Sequence, residues 1–292
     1  MKQDRFVLTA GFMPAVVMAL LLLAENLLGQ GALPTHIWVL AAAELGAYLA
    51  PLLLLRLLKD SEGKTAVFRC RPFKRRAVWF VLWLSIAAAL LAALLNGAVS
   101  LLLKENVYTD TLSLLERYGV TAWWQVALVV VILPAVTEEL FFRGVMFSAL
   151  EREGTLPALL LTSAAFAMIH GDLGNLAGPF AAGMIYGYMV YVLDSVWPAV
   201  FAHLVNNGLH LFLAHAARSY SVLGIWSYIV LIALFLFCLF LALAMRSLEG
   251  LIEKGRIRRL QNGGFAATLS GIFVSPGMWL LLILFLVRIL YW

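Results

Sequence analysis

Charge is scarce in this chain. Asp, Glu, Lys and Arg make up 13% of its 292 residues, hydrophobic residues make up 63%, and the mean hydropathy is +0.95. That balance argues against a water-soluble globular fold and for a polytopic membrane protein. Cysteine is almost absent as well. Cys70 and Cys238 stand far apart with no Cys-x-x-Cys or Cys/His spacing, so neither zinc binding of that kind, nor a disulfide framework, nor thiol redox chemistry is indicated. There is no Gly-x-Ser-x-Gly elbow to present a nucleophilic serine, no low-complexity linker and no soluble segment of domain size. Residues 1–292 therefore read as a single membrane domain.

What is present in abundance is apolar sequence in runs long enough to cross about 30 Å of hydrocarbon. Seven such windows lie near 6–28, 36–58, 78–102, 121–149, 197–217, 222–246 and 270–291, and shorter ones lie near 156–171 and 178–194. The expected fold is an all-α transmembrane helix bundle of eight to nine helices, nine being the direct count. The first window follows Lys2 to Arg5, but it is long and lacks a small-x-small cleavage site, so it reads as a retained span.

Lys and Arg exceed Asp and Glu by 5, and membrane topology explains the excess better than nucleic acid does. Twelve of the 21 basic residues occupy two loops: Lys59, Lys64, Arg69, Arg71, Lys74, Arg75 and Arg76 in one, Arg246, Lys254, Arg256, Arg258 and Arg259 in the other. Both loops are expected inside, because basic residues are enriched on the cytoplasmic side of membranes. Nine spans separate them by an even number of crossings. The N-terminus then lies inside and the C-terminus outside, in what is expected to be the plasma membrane of a bacterium. Trp123, Trp124, Trp197 and Trp292 fall near span ends and read as interfacial anchors, as do His36 and His215. Glu44, about eight residues into the second span, reads as a packing or interface group.

One stretch breaks the apolar pattern. Thr137-Glu138-Glu139-Leu140-Phe141-Phe142-Arg143 places three ionisable side chains inside a membrane run, each costing roughly 2.5–3.5 kcal/mol at a helix centre, while an apolar residue returns only about 0.3–0.6. Residues four apart share a helix face, so Glu139 and Arg143 can pair. Glu138 points elsewhere and has no intrahelical counter-charge. It is the carboxylate free to act as a general base or acid.

Polar residues recur at helical spacing downstream. Phe166 and His170 share a face, as do His203 and Asn207, and Pro198 suits the start of that last helix. These residues resemble the CPBP family, the CAAX proteases and bacteriocin-processing proteins, which include the type II CAAX prenyl endopeptidases and many bacterial immunity proteins. The family's Glu-Glu-x-x-x-Arg is met by Glu138, Glu139 and Arg143. Its Phe-x-x-x-His is met by Phe166 and His170, and its His-x-x-x-Asn/Asp by His203 and Asn207. The three motifs stand in family order over a core of about 121–217.

The resemblance implies a glutamate-dependent intramembrane endopeptidase acting on a membrane-associated peptide or protein, with no cofactor and no metal. Chemistry gives each residue a compatible role: Glu138 deprotonates a water, His170 holds it, and His203 and Asn207 stabilise the oxyanion. Glu139, Arg143 and Phe166 support them. Two alternatives stay open. Two histidines with one or two carboxylates also suit zinc, although no His-Glu-x-x-His occurs and Asn is an uncommon zinc ligand. Ionisable residues at the midplane also mark transporters, so a non-catalytic transporter or scaffold is the other alternative. His210, Asn206 and Ser163 read as packing groups.

Depth poses a requirement. At about 1.5 Å per residue, His170 lies near the end of its short span and His203 near the start of its own. For both to meet Glu138, the segment Gly171 to Pro179 must dip inward against protein or water.

Overall fold

The computed structural model describes residues 5–57, 68–103, 118, 120, 122–151, 154–219, 223–253, 255 and 276–291. Among them are nine helices and no strand. They are α1 (Arg5–Gly29), α2 (Ile37–Leu57), α3 (Val78–Leu103), α4 (Trp123–Leu150), α5 (Thr155–Ile169), α6 (Ala177–Leu193), α7 (Trp197–Ser219), α8 (Leu223–Ile252) and α9 (Pro276–Tyr291). The chain is an all-α membrane bundle, and its described residues form the nine helices expected. Lys2, Lys59, Lys64, Lys254, Arg256, Arg258, Arg259 and Trp292, and positions 270–275 of the last expected span, lie outside the described residues.

Five helices are long and apolar enough to cross a membrane: α1 to α4 and α8. Helix α7 is as long, but its hydropathy is lowered by His203, Asn206, Asn207, His210 and His215. Helices α5 and α6 have only 15 and 17 residues, which at 1.5 Å per residue span roughly 22 and 25 Å. Their shortness leaves room for the non-helical turn between them.

Without a hydrophobic drive between helices in lipid, close backbone approach matters, and small residues provide it. A Cβ at Gly277 would come within 2.3 Å of the Gly11 carbonyl oxygen, so α9 packs directly on α1. Helix α3 lies against α6, α7 and α8. Trp83 of α3 stacks on Phe240 of α8 at 5.5 Å. The outer faces are apolar: Tyr228, Leu231 and Phe235 of α8 are exposed, as befits side chains that meet acyl chains.

One end of the bundle is tied by residues 68–71, which cross the end of α4 and the turn between α6 and α7. The Arg69 guanidinium pairs with Glu151 and lies 3.6 Å from Asp194. Val196 N–H donates to the Arg69 carbonyl at 2.9 Å, Ser195 Oγ to the Arg71 carbonyl at 2.6 Å, and Trp197 Nε1 to the Cys70 carbonyl at 2.9 Å. Gly144 allows the approach, since a Cβ there would stand 3.1 Å from the Phe68 carbonyl oxygen. Trp197 thus has a specific partner beyond the anchoring role read from its position.

Candidate active site

Helix α4 carries the acidic pair on a regular segment, Leu133–Glu139, set between two wider-wound stretches, Ala127–Ile132 and Leu140–Met146. Wide turns inside α-helices often accompany functional sites, because they redirect the side chains and carbonyls beside them. Pro134 begins the regular segment and lacks the N–H that would bond the Val130 carbonyl in an ordinary helix. Asn207 Nδ2 of α7 donates to that carbonyl at 3.4 Å. The amide is thereby fixed toward α4.

Glu139 and Arg143 pair as their spacing predicts: Arg143 Nη1 donates to Glu139 Oε1 at 2.9 Å, both side chains being fully buried. The same oxygen lies 2.9 Å from His203 Nδ1, a partner that spacing within one helix could not reveal. Glu139 therefore joins α4 to α7 and orients His203. A carboxylate accepts only, so Nδ1 carries the proton and Nε2 is left for other work.

Phe166 forms the floor beneath these groups. Its ring meets Phe142, His170 and His203 edge-on at centroid distances of 5.4, 5.0 and 5.5 Å, and the Arg143 guanidinium sits 4.3 Å from its centroid. The quadrupole of the ring face compensates a cation held away from water. Gly183 leaves room for that cation, since a Cβ there would reach within 2.8 Å of Arg143 Nη2. His170 Nδ1 lies 2.9 Å from the Phe166 carbonyl, which can only accept, so here too Nε2 is free.

Glu138 has no partner for its buried Oε2, while its carboxylate accepts a hydrogen bond from the Tyr48 hydroxyl of α2. One turn away on α2, Glu44 Oε1 lies 3.3 Å from Thr137 Oγ1, a contact between helices in keeping with the packing role expected of it.

Glu138, His170, His203 and Asn207 line a single cavity of about 240 Å³. A water occupies about 30 Å³ of the liquid, so several fit. Asn206 and His210, read from sequence as packing groups, line it as well. So does the segment after His170, which meets the depth requirement. Gly171 turns with φ of 67°, and Asn175 and Pro179 reach the cavity wall. Asn96 of α3 secures this segment: Gly178 N–H donates to its Oδ1 at 2.9 Å and its Nδ2 donates to Asn175 Oδ1 at 2.7 Å. A Cβ at Gly178 would lie 2.4 Å from Asn96 Oδ1.

Tyr48 and Asn96 are the site residues that sequence reasoning missed, whereas Asn175 belongs to the segment expected to dip inward. Asn96 had a signal, an amide in the middle of an apolar span. Tyr48 had none, because tyrosine is unremarkable in such a run. Neither free cysteine lines the cavity. Among the described residues no three His, Cys, Asp or Glu side chains gather closely enough to hold a metal ion.

Residues 120–209 match the family of type II CAAX prenyl endopeptidase Rce1-like proteins. The "Putative membrane peptidase YdiL" of Bacillus subtilis (strain 168) is 32% identical over 77 residues, 26% of this chain. The chain spans about a third (32%) of that relative's length. No solved structure matches. The family match begins just before α4 and ends within α7, so it covers all three motifs and the helices that bring them to one cavity, and over that segment the chain is similar to the type II CAAX prenyl endopeptidase Rce1-like membrane proteins.

Proposed function

We propose that the chain is an intramembrane endopeptidase that hydrolyses a peptide bond of a membrane-associated protein or peptide with a water activated by Glu138. One observation carries this reading: a buried carboxylate with an unpartnered oxygen shares a cavity with two histidines, each held through Nδ1, and with an oriented amide. The water lies between Glu138 and His170 Nε2. As its oxygen attacks the scissile carbonyl carbon, its proton passes to Glu138, and the carbonyl oxygen becomes an oxyanion facing His203 and Asn207. Collapse of the tetrahedral intermediate breaks the C–N bond, and Glu138 returns the proton to the leaving nitrogen.

His203 can donate from Nε2 only as the imidazolium, since Nδ1–H is directed to Glu139. Glu139 then faces two cations, Arg143 and His203. The same contact favours a second reading, in which neutral His203 is the base and Glu139 its orienting carboxylate.

The test compares membranes from cells producing the native chain with membranes from cells producing Glu138→Ala. Uncleaved membrane peptides should accumulate with the variant and name the substrate. Identical profiles would make the protein a scaffold. Loss of cleavage in His203→Ala with Glu138→Ala still active would move the base to His203.

A further inference from the structure

The cavity lies off-centre in the bundle, between a densely packed half of α4 and the opposite ends of α3, α4 and α7. Beyond Glu138 on α4, residues Phe141, Phe142, Arg143, Val145, Met146 and Phe147 are all fully buried. They pack as a plug between the cavity and the 68–71 strap, where Phe68 and Arg69 meet Gly144 and Phe147. On the opposite side the lining belongs to the far parts of the same helices: Asn96 in the later half of α3, Val130 in the first third of α4, and Leu213 well along α7. The 171–176 turn stands at this end, with Leu173 exposed.

Charge distinguishes the two ends. At the plugged end, Arg71, Lys74, Arg75 and Arg76 before α3 and Arg246 near the close of α8 are exposed. At the opposite end, Arg288 of α9 is paired with Glu25 of α1 at 3.0 Å and sits against Gly171, while Asp172 caps its own turn through Gly174 N–H at 2.8 Å. Basic loops stay in the cytoplasm, and so the plug faces the cytoplasm.

We propose that substrate enters from the extracytoplasmic side, so that the chain cleaves exported or membrane-anchored peptides at segments lying on that side, and not prenylated proteins of the cytosol. The chemistry rests on the protease reading above, whereas the orientation stands on geometry and charge alone.

The two native cysteines make the test direct, since Cys70 lies in the strap and is exposed. Three single-cysteine variants are labelled with a charged, membrane-impermeant methanethiosulfonate: Cys238→Ser, which keeps Cys70, and Leu173→Cys and Asn206→Cys, each in a cysteine-free background. In intact cells Leu173→Cys and, more slowly, Asn206→Cys on the cavity wall should react, and Cys70 should react only after permeabilisation. The reverse pattern overturns the orientation. An Asn206→Cys variant protected from both faces overturns the open path. In the comparison with Glu138→Ala, cleavage sites should map to the extracytoplasmic ends of their spans, and cytoplasmic sites would overturn the substrate class. The expected labelling with no cleaved peptide in any membrane would sink the protease reading and leave the orientation standing.

Discussion

The two halves of α4 differ in almost every respect although one helix makes both. Before Glu138 the helix lines the polar cavity, keeps a carbonyl available to Asn207 and exposes Leu128 and Ile132. After Glu138 it is a packed plug whose one cation, Arg143, is held by Glu139 and by the face of Phe166. The boundary runs between two adjacent carboxylates, and neighbouring positions on a helix point in different directions. Adjacency therefore lets one acid face the cavity while the next is tied into structure. The base proposed above and a buried ion pair need opposite surroundings, and a single helix turn supplies both.

The largest expected effect tests that boundary. Glu138→Gln should abolish hydrolysis while the thermal stability of the purified protein holds or rises, because it replaces a buried acid that has an unpartnered oxygen. Glu139→Gln should destabilise instead, by about 3–5 kcal/mol, since removing one partner of a buried ion pair strands the other charge. Activity falls in this variant too, because His203 loses the oxygen that orients it. Thermal melts beside peptide turnover check both. Two equally stable variants with equal loss of activity would erase the distinction between the halves.

A smaller effect sharpens the cavity side. Asn207→Ala should leave cleavage slow but measurable, with kcat lower by about 10² to 10³, roughly 2.7–4 kcal/mol, and KM little changed. That split marks a donor used in the transition state. A raised KM with unchanged kcat would move Asn207 to ground-state binding.

The site was legible where its chemistry obeys helical spacing. Glu139 with Arg143, Phe166 with His170, and His203 with Asn207 each share a face at four-residue intervals, and the cost of charge in lipid draws attention to them. The helices were legible for a related reason, since a span announces itself by length. Contacts across helices were not. Nothing in the order of residues places Glu139 against His203 or Tyr48 against Glu138, because the angle at which α2, α4 and α7 meet depends on packing along their whole length. The residues that hold the 171–176 turn were half visible: its glycines and Asn175 marked an inward segment, but its tie to Asn96 comes from another helix.

The smallest effect concerns the one contact that reaches Glu138 from outside the motifs. Tyr48 is fully buried, its ring edge-on to Phe141 and Phe142 at 5.7 and 6.4 Å, and its hydroxyl donates to the Glu138 carboxylate. The ring belongs to the plug and the hydroxyl to Glu138, so this residue spans the boundary that the two carboxylates define. Tyr48→Phe keeps the ring and removes only the hydrogen bond. A bond to a charged group contributes about 1.5–3 kcal/mol, but the carboxylate keeps its place on α4, so only the lower part of that range should appear, a fall in kcat of about tenfold with KM and melting temperature nearly unchanged. Tyr48→Ala should also lower the melting temperature, by opening a void among the phenylalanines. Full activity in Tyr48→Phe would assign Tyr48 wholly to the plug and leave Glu138 to be aimed by α4 alone.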